Sequence, residues 1–142
     1  MQSDVIRLPI IFLWGRVLVT LQGEITDEVA SHLSREVLQV IHERGADGLV
    51  LDVTGVWLMD SHLCAVLSRL AASAKLMGTR TVISGMSPDT AQTLQTMGIE
   101  LVDVSTALTV EQALTMLGIE VTIAPRPSRR ARGRLRARGE IE

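Results

Sequence analysis

The sequence predicts an α/β domain, a four- to five-stranded mixed sheet with about four helices packed on it, and three observations carry the prediction. Short apolar runs alternate with stretches of helical periodicity, and a helix crossing between two strands forces parallel pairing. The run Leu49-Val50-Leu51-Asp52-Val53 is apolar on both faces except at Asp52, as a central parallel strand is. Helix punctuation recurs, with Thr26, Ser87 and Thr109 at starts and Gly45, Gly98 and Gly118 at ends.

Taken in order, Ile10–Trp14 reads as a first strand and Val17–Leu21 as a second, joined by a tight hairpin at Gly15-Arg16. Thr26 then caps a helix whose first turn holds Asp27 and Glu28, where negative charge meets the positive helix end. Val29, Leu33, Val37, Val40 and Ile41 give it an apolar face, and Gly45 stops it. After the central strand, His62–Met77 is a second helix burying Leu63, Val66, Leu67, Leu70 and Ala74. Thr81–Ser84 is a strand and Gly85 a turn. Ser87 caps a third helix with Pro88 at its first position, and Gly98 ends it. Ile99–Val102 is expected to be an edge strand. Thr109 and Gln112 form a capping-box pair for a last helix through Val110, Ala113, Leu114 and Leu117.

A chain of 142 residues holds one domain with a real core. With Phe12, Trp14 and Trp57 as the only aromatics, that core is aliphatic, and no aromatic platform for stacking bases is available. The apolar run Leu8–Trp14 is too short to span a bilayer and has neither a basic leader nor a small-residue cleavage site, so no membrane association and a cytoplasmic location are expected. Cys64 is the sole cysteine and excludes an internal disulfide. Residues 1–124 carry a net charge of −7 and residues 125–142, with seven arginines, a net of +5. The near-neutral total therefore joins an acidic domain to a basic tail. The tail, rich in Arg, Pro, Ser and Gly, is expected to be disordered alone. It is read as a solubilising end, a strap onto acidic neighbouring subunits, or a contact to nucleic acid or anionic membrane.

Catalytic machinery is not expected. A nucleophile elbow at Ser61 needs glycines where Met59 and Leu63 stand, and His62 points roughly 100° away on the same helix. His32 and His42 are expected on the wet face of the first helix. His62-x-Cys64 puts two ligand types on different sides of a helix with no partner cluster, so no metal or other cofactor is expected. Lys75, the only lysine, follows no glycine-rich phosphate loop. Asp60 reads as an N-cap for the second helix. Ser61 remains the lead: a hydroxyl at a helix start, at one end of a sheet, where a phosphoryl group meets unpaired amides.

Gly48–Val56 followed by Met59-Asp60-Ser61 resembles the signature of STAS domains, the sulfate-transporter and anti-sigma-factor-antagonist family. Ala74–Arg80, Ile83–Pro88 and Leu94–Ile99 further resemble the RsbS-type stressosome scaffolds and their co-antagonist relatives. The resemblance covers roughly residues 8 to 118. It implies a single STAS domain over residues 8–124, with residues 1–7 an N-terminal extension and 125–142 the basic tail. It also implies a non-enzymatic scaffold that assembles with RsbR-like STAS paralogues, self-associates as a dimer and a large shell, and holds a switch serine/threonine kinase. That kinase phosphorylates Ser61 and leaves to activate a downstream stress response; a serine phosphatase resets Ser61. Met59, Asp60, His62, Gly85 and Met86 are then expected to dock the kinase, with Thr93 a second phosphosite. Trp57 and His62-Leu63-Cys64 depart from the family's pattern. Two other functions stay open: a free anti-sigma-factor antagonist without a shell, and a small-ligand or nucleotide sensor using the helix starts near Asp60 and Gly85.

Overall fold

A computed structural model describes residues 8–120. β1 (Ile10–Leu13) and β2 (Arg16–Gly23) form an antiparallel hairpin, followed by α1 (Asp27–Arg44), β3 (Gly48–Val56), α2 (Ser61–Leu76), β4 (Arg80–Ser84), α3 (Pro88–Thr96), β5 (Val104–Ala107) and α4 (Val110–Met116). The five strands lie in sequence order across one mixed sheet, every pair after the hairpin being parallel.

Sequential strand order has a consequence. Three right-handed crossovers stepping the same way set α1, α2 and α3 on one face of the sheet. The main core agrees: Ala30, Leu33, Val37 and Ile41 of α1, Leu63, Leu67 and Leu70 of α2, and Leu94 of α3 pack with Val19, Leu49, Leu51 and Ile83. The strand positions between these point the other way. There Val50 and Val82 meet Ala113 and Leu114 of α4 and Leu117 just after it. Two apolar faces on β3 are what Leu49–Val53 required, and both are covered.

The sequence misplaced two connections. The hairpin turn is Trp14-Gly15, not Gly15-Arg16, because Leu13 pairs with Arg16 and both turn residues have positive φ, 49° and 78°. That is the primed two-residue turn whose twist matches a hairpin, and it takes Trp14 out of the strand. The edge strand is Val104–Ala107 rather than Ile99–Val102. Ile99 is used instead to close α3, donating its backbone N–H to Leu94 O at 3.0 Å behind Gly98. Asp103, at φ 62°, turns the chain and is held by Lys75 Nζ at 2.8 Å. Only after that turn does Val104 come level with Thr81. Among the described residues, no helix is long and apolar enough to cross a membrane. The arginine tail and the N-terminal extension lie outside the described residues.

Candidate functional site

The connections leaving the carboxyl ends of β2, β3 and β4 meet at one edge of the sheet, and Ser61 stands on that edge. β3 delivers the chain through Trp57-Leu58-Met59 to Asp60, whose extended backbone (φ −87°, ψ 174°) makes it the N-cap of α2. The Asp60 carboxylate accepts the Leu63 backbone N–H at 2.7 Å, and its carbonyl accepts that of Cys64 at 3.0 Å. Ser61 is the first residue of the helix and is exposed. No acidic residue occupies the first turn of α2, unlike α1 with Asp27 and Glu28. The helix start therefore presents a hydroxyl beside the uncapped Ser61 and His62 amides, whose positive end favours an anion against the carboxylates around it.

The residues around Ser61 divide by exposure. Asp60 and His62 are exposed, and His62 Nε2 lies 3.0 Å from Asp27 Oδ1, tying the start of α2 to the start of α1. The pair is an ion pair only when the imidazole is protonated, and being exposed it is worth little. Met59 is 6% exposed and packs in the main core, so the expected kinase-docking side chain is turned inward and anchors the turn from below. Trp57 and Leu58 do the reverse, at 81% and 68% exposed. Cys64, one position beyond Leu63, is buried; burial, and after it the Asp60 charge, pushes its thiol above the ordinary range and leaves it inert.

Gly85 and Met86 are half-buried at the end of β4. Gly85 has φ +82°, and a Cβ there would overlap the Thr54 hydroxyl and crowd Asp52 Oδ1. Those two groups are already hydrogen-bonded, Thr54 Oγ1 donating to Asp52 Oδ1 at 2.7 Å, and Ser84 Oγ donates to the same oxygen at 3.3 Å. Gly85 thus lets the β4–α3 turn close over a polar knot that fixes the end of β3. Asp52, the one charge in the central strand, is explained by that knot. Met86 packs against the main core. Ser87 caps α3 as expected, accepting the Thr90 N–H at 3.1 Å. Thr93 is exposed on α3 and donates its hydroxyl to Asp89 O at 2.8 Å, more than one turn along the helix from its cap. His42 is exposed, whereas His32 is half-buried with Nε2 2.9 Å from Glu36 Oε1.

Sequence reasoning missed the outward pair Trp57-Leu58. The sequence held no signal for it, because a turn has no periodicity to say which of Trp57, Leu58 and Met59 faces the core.

The sequence model of the STAS domain family matches residues 10–113. RsbT co-antagonist protein RsbRD of Bacillus subtilis (strain 168) is 30% identical over 107 residues, 75% of this chain but 38% of that relative. The chain thus spans well under half the length of that relative. Among solved structures, a serine-to-glutamate variant of Moorella thermoacetica RsbS superposes with a TM-score of 0.68 at 30% identity, covering 78% of this chain and 94% of that one. A chain from the stressosome, described as a signal integration and transduction hub, gives 0.63 at 27% identity, covering 77% and 95%.

Proposed function

The chain belongs to the STAS domain family, and from that premise we propose that it is a non-enzymatic stressosome scaffold whose Ser61 is the switch. A serine kinase docks on the carboxyl edge of the sheet, phosphorylates Ser61 and is released to act downstream, and a serine phosphatase resets the site. RsbR-like paralogues share the assembly. The observation carrying this reading is the exposed Ser61 hydroxyl at the first position of α2, beside a cap already satisfied by Asp60.

The energetics favour a switch read by the partner rather than by the fold. An anion at a helix start gains about 0.3–1 kcal/mol, and ~2 kcal/mol in sheltered geometry. Asp60 next to it offsets part of that gain. Phosphate therefore leaves the domain folded and rigid. At an interface the same group, nearly doubly charged, has to be desolvated, and without a cationic partner this costs several kcal/mol. A loss of ~3–4 kcal/mol weakens binding by roughly a hundred- to a thousand-fold, enough to dissociate a micromolar complex.

The test is to incubate the full chain with the switch kinase of the same organism and ATP, map phosphate by mass spectrometry, and measure kinase affinity before and after. Phosphate confined to Ser61 with loss of affinity is the expected result. Phosphate elsewhere, or unchanged affinity, overturns the reading.

A further inference from the structure

Resting on that reading, we propose that Trp57 and Leu58 are the apolar anchor that the kinase buries, and that they set which kinase this scaffold holds. An exposed Trp-Leu pair is expensive to leave in water, and the fold does nothing to hide it although Met59, the next residue, is packed inside. The backbone at Trp57 is also fixed. Gly23 pairs with Val56 at the last step of the β2–β3 ladder, and the Trp57 N–H donates to Gly23 O at 3.0 Å beyond it. A tryptophan, with two side-chain torsions, loses little freedom on binding and is among the residue types most enriched at interface hot spots. It stands four positions before Ser61 in the same turn, so a partner seated on it has Ser61 within reach.

Charge decides between occupants. The connections at this edge carry Glu24, Asp27, Glu28, Asp60, Asp89 and Glu111, and segments 22–28, 54–62, 85–90 and 107–112 contain no Lys or Arg. Two copies meeting edge to edge would oppose like charges around an apolar centre, which disfavours self-association here. The complementary surface is a protein pocket that accepts an indole and an isobutyl group inside a basic rim. Leu108, 76% exposed, follows β5 at the same end of the sheet but two strands away from β3. Phosphate on Ser61 would then fall inside that rim, against the apolar contact, where without a cation of its own its desolvation opposes seating of the anchor.

The experiment uses the full chain and the purified switch kinase of the same organism. In Trp14→Phe protein, Trp57 is the only indole and reports its own burial. Kinase addition is expected to shift its fluorescence to the blue, and Trp57→Ala/Leu58→Ala to weaken kinase binding by about 30-fold or more. The same double variant is expected to raise KM for Ser61 phosphorylation while leaving kcat near wild type, with an unchanged circular dichroism melt. A double variant that binds and is phosphorylated like wild type overturns the anchor and leaves the switch reading standing. Kinase that binds through Trp57 without modifying Ser61 upholds the anchor and overturns the switch. A wild-type chain that fails to bind kinase overturns both. A blue-shifted indole without kinase that turns red on deletion of residues 125–142 assigns the surface to the arginine tail and overturns the proposal.

Discussion

Gly85→Ala separates a structural role for the β4–α3 turn from a docking role, and its size follows from geometry. At φ +82° an L-residue costs about 1–2 kcal/mol. The added methyl also overlaps the Thr54 hydroxyl and crowds Asp52 Oδ1, whose mutual hydrogen bond is 2.7 Å. Overpacking of this kind costs about 1–3 kcal/mol, so a total near 3 kcal/mol is expected. With about 2.1 cal/mol/K of unfolding entropy per residue over about 113 described residues, 1 kcal/mol moves Tm by ~4 °C. Thermal unfolding by circular dichroism should therefore fall by about 12 °C. Adding Thr54→Ala removes the closest overlap and leaves the crowding of Asp52 Oδ1, so the double variant should recover about 1 kcal/mol relative to the sum of the singles. A Gly85→Ala protein melting within about 2 °C of wild type, or strict additivity with Thr54→Ala, would refute the knot as the reason for glycine there.

Asp60→Ala removes the carboxylate that holds the Leu63 N–H, and should lower stability by about 0.5–2 kcal/mol in urea unfolding; an unchanged midpoint contradicts the capping role. Trp14→Asn turns a strained exposed residue at φ 49° into the Asn-Gly pair favoured in this turn, and should raise stability by about 0.5–1 kcal/mol; a lowered urea midpoint contradicts it. Cys64 should resist iodoacetamide at pH 8 until the protein unfolds, because the thiol is buried and its pKa is raised; labelling at the rate of a free thiol contradicts that. The linked stability is fully present below the unfolded thiol's pKa and declines as pH rises through the folded value, a decline that Cys64→Ser should abolish.

Much of the fold was legible because local rules and burial agreed. Thr26, Asp60, Ser87 and Thr109 each accept the backbone N–H three residues on, as their positions before apolar helical runs imply. At the last of these Gln112 reaches back to the Leu108 N–H at 3.1 Å, one residue earlier than a capping box places it. β5 was displaced because Ile99–Val102 is more apolar than Val-Ser-Thr-Ala, and composition cannot see that Ile99 closes a helix and Asp103 turns the chain. At the site, Asp60-Ser61 was visible as a cap followed by an exposed hydroxyl. Met59 and Trp57-Leu58 were not, since in a turn no periodicity says which apolar residue faces the core.

The central claim is that charge on Ser61 edits a surface without disturbing the fold. Calorimetric titration of the switch kinase into unmodified, Ser61→Ala and stoichiometrically Ser61-phosphorylated protein tests it most directly, with melts of the same three samples. The account predicts equal affinity for the first two, affinity lower by roughly a hundred-fold or more for the third, and melting temperatures within about 2 °C throughout. Equal affinity for all three, or a phosphorylated protein that loses binding only because it unfolds, would contradict it.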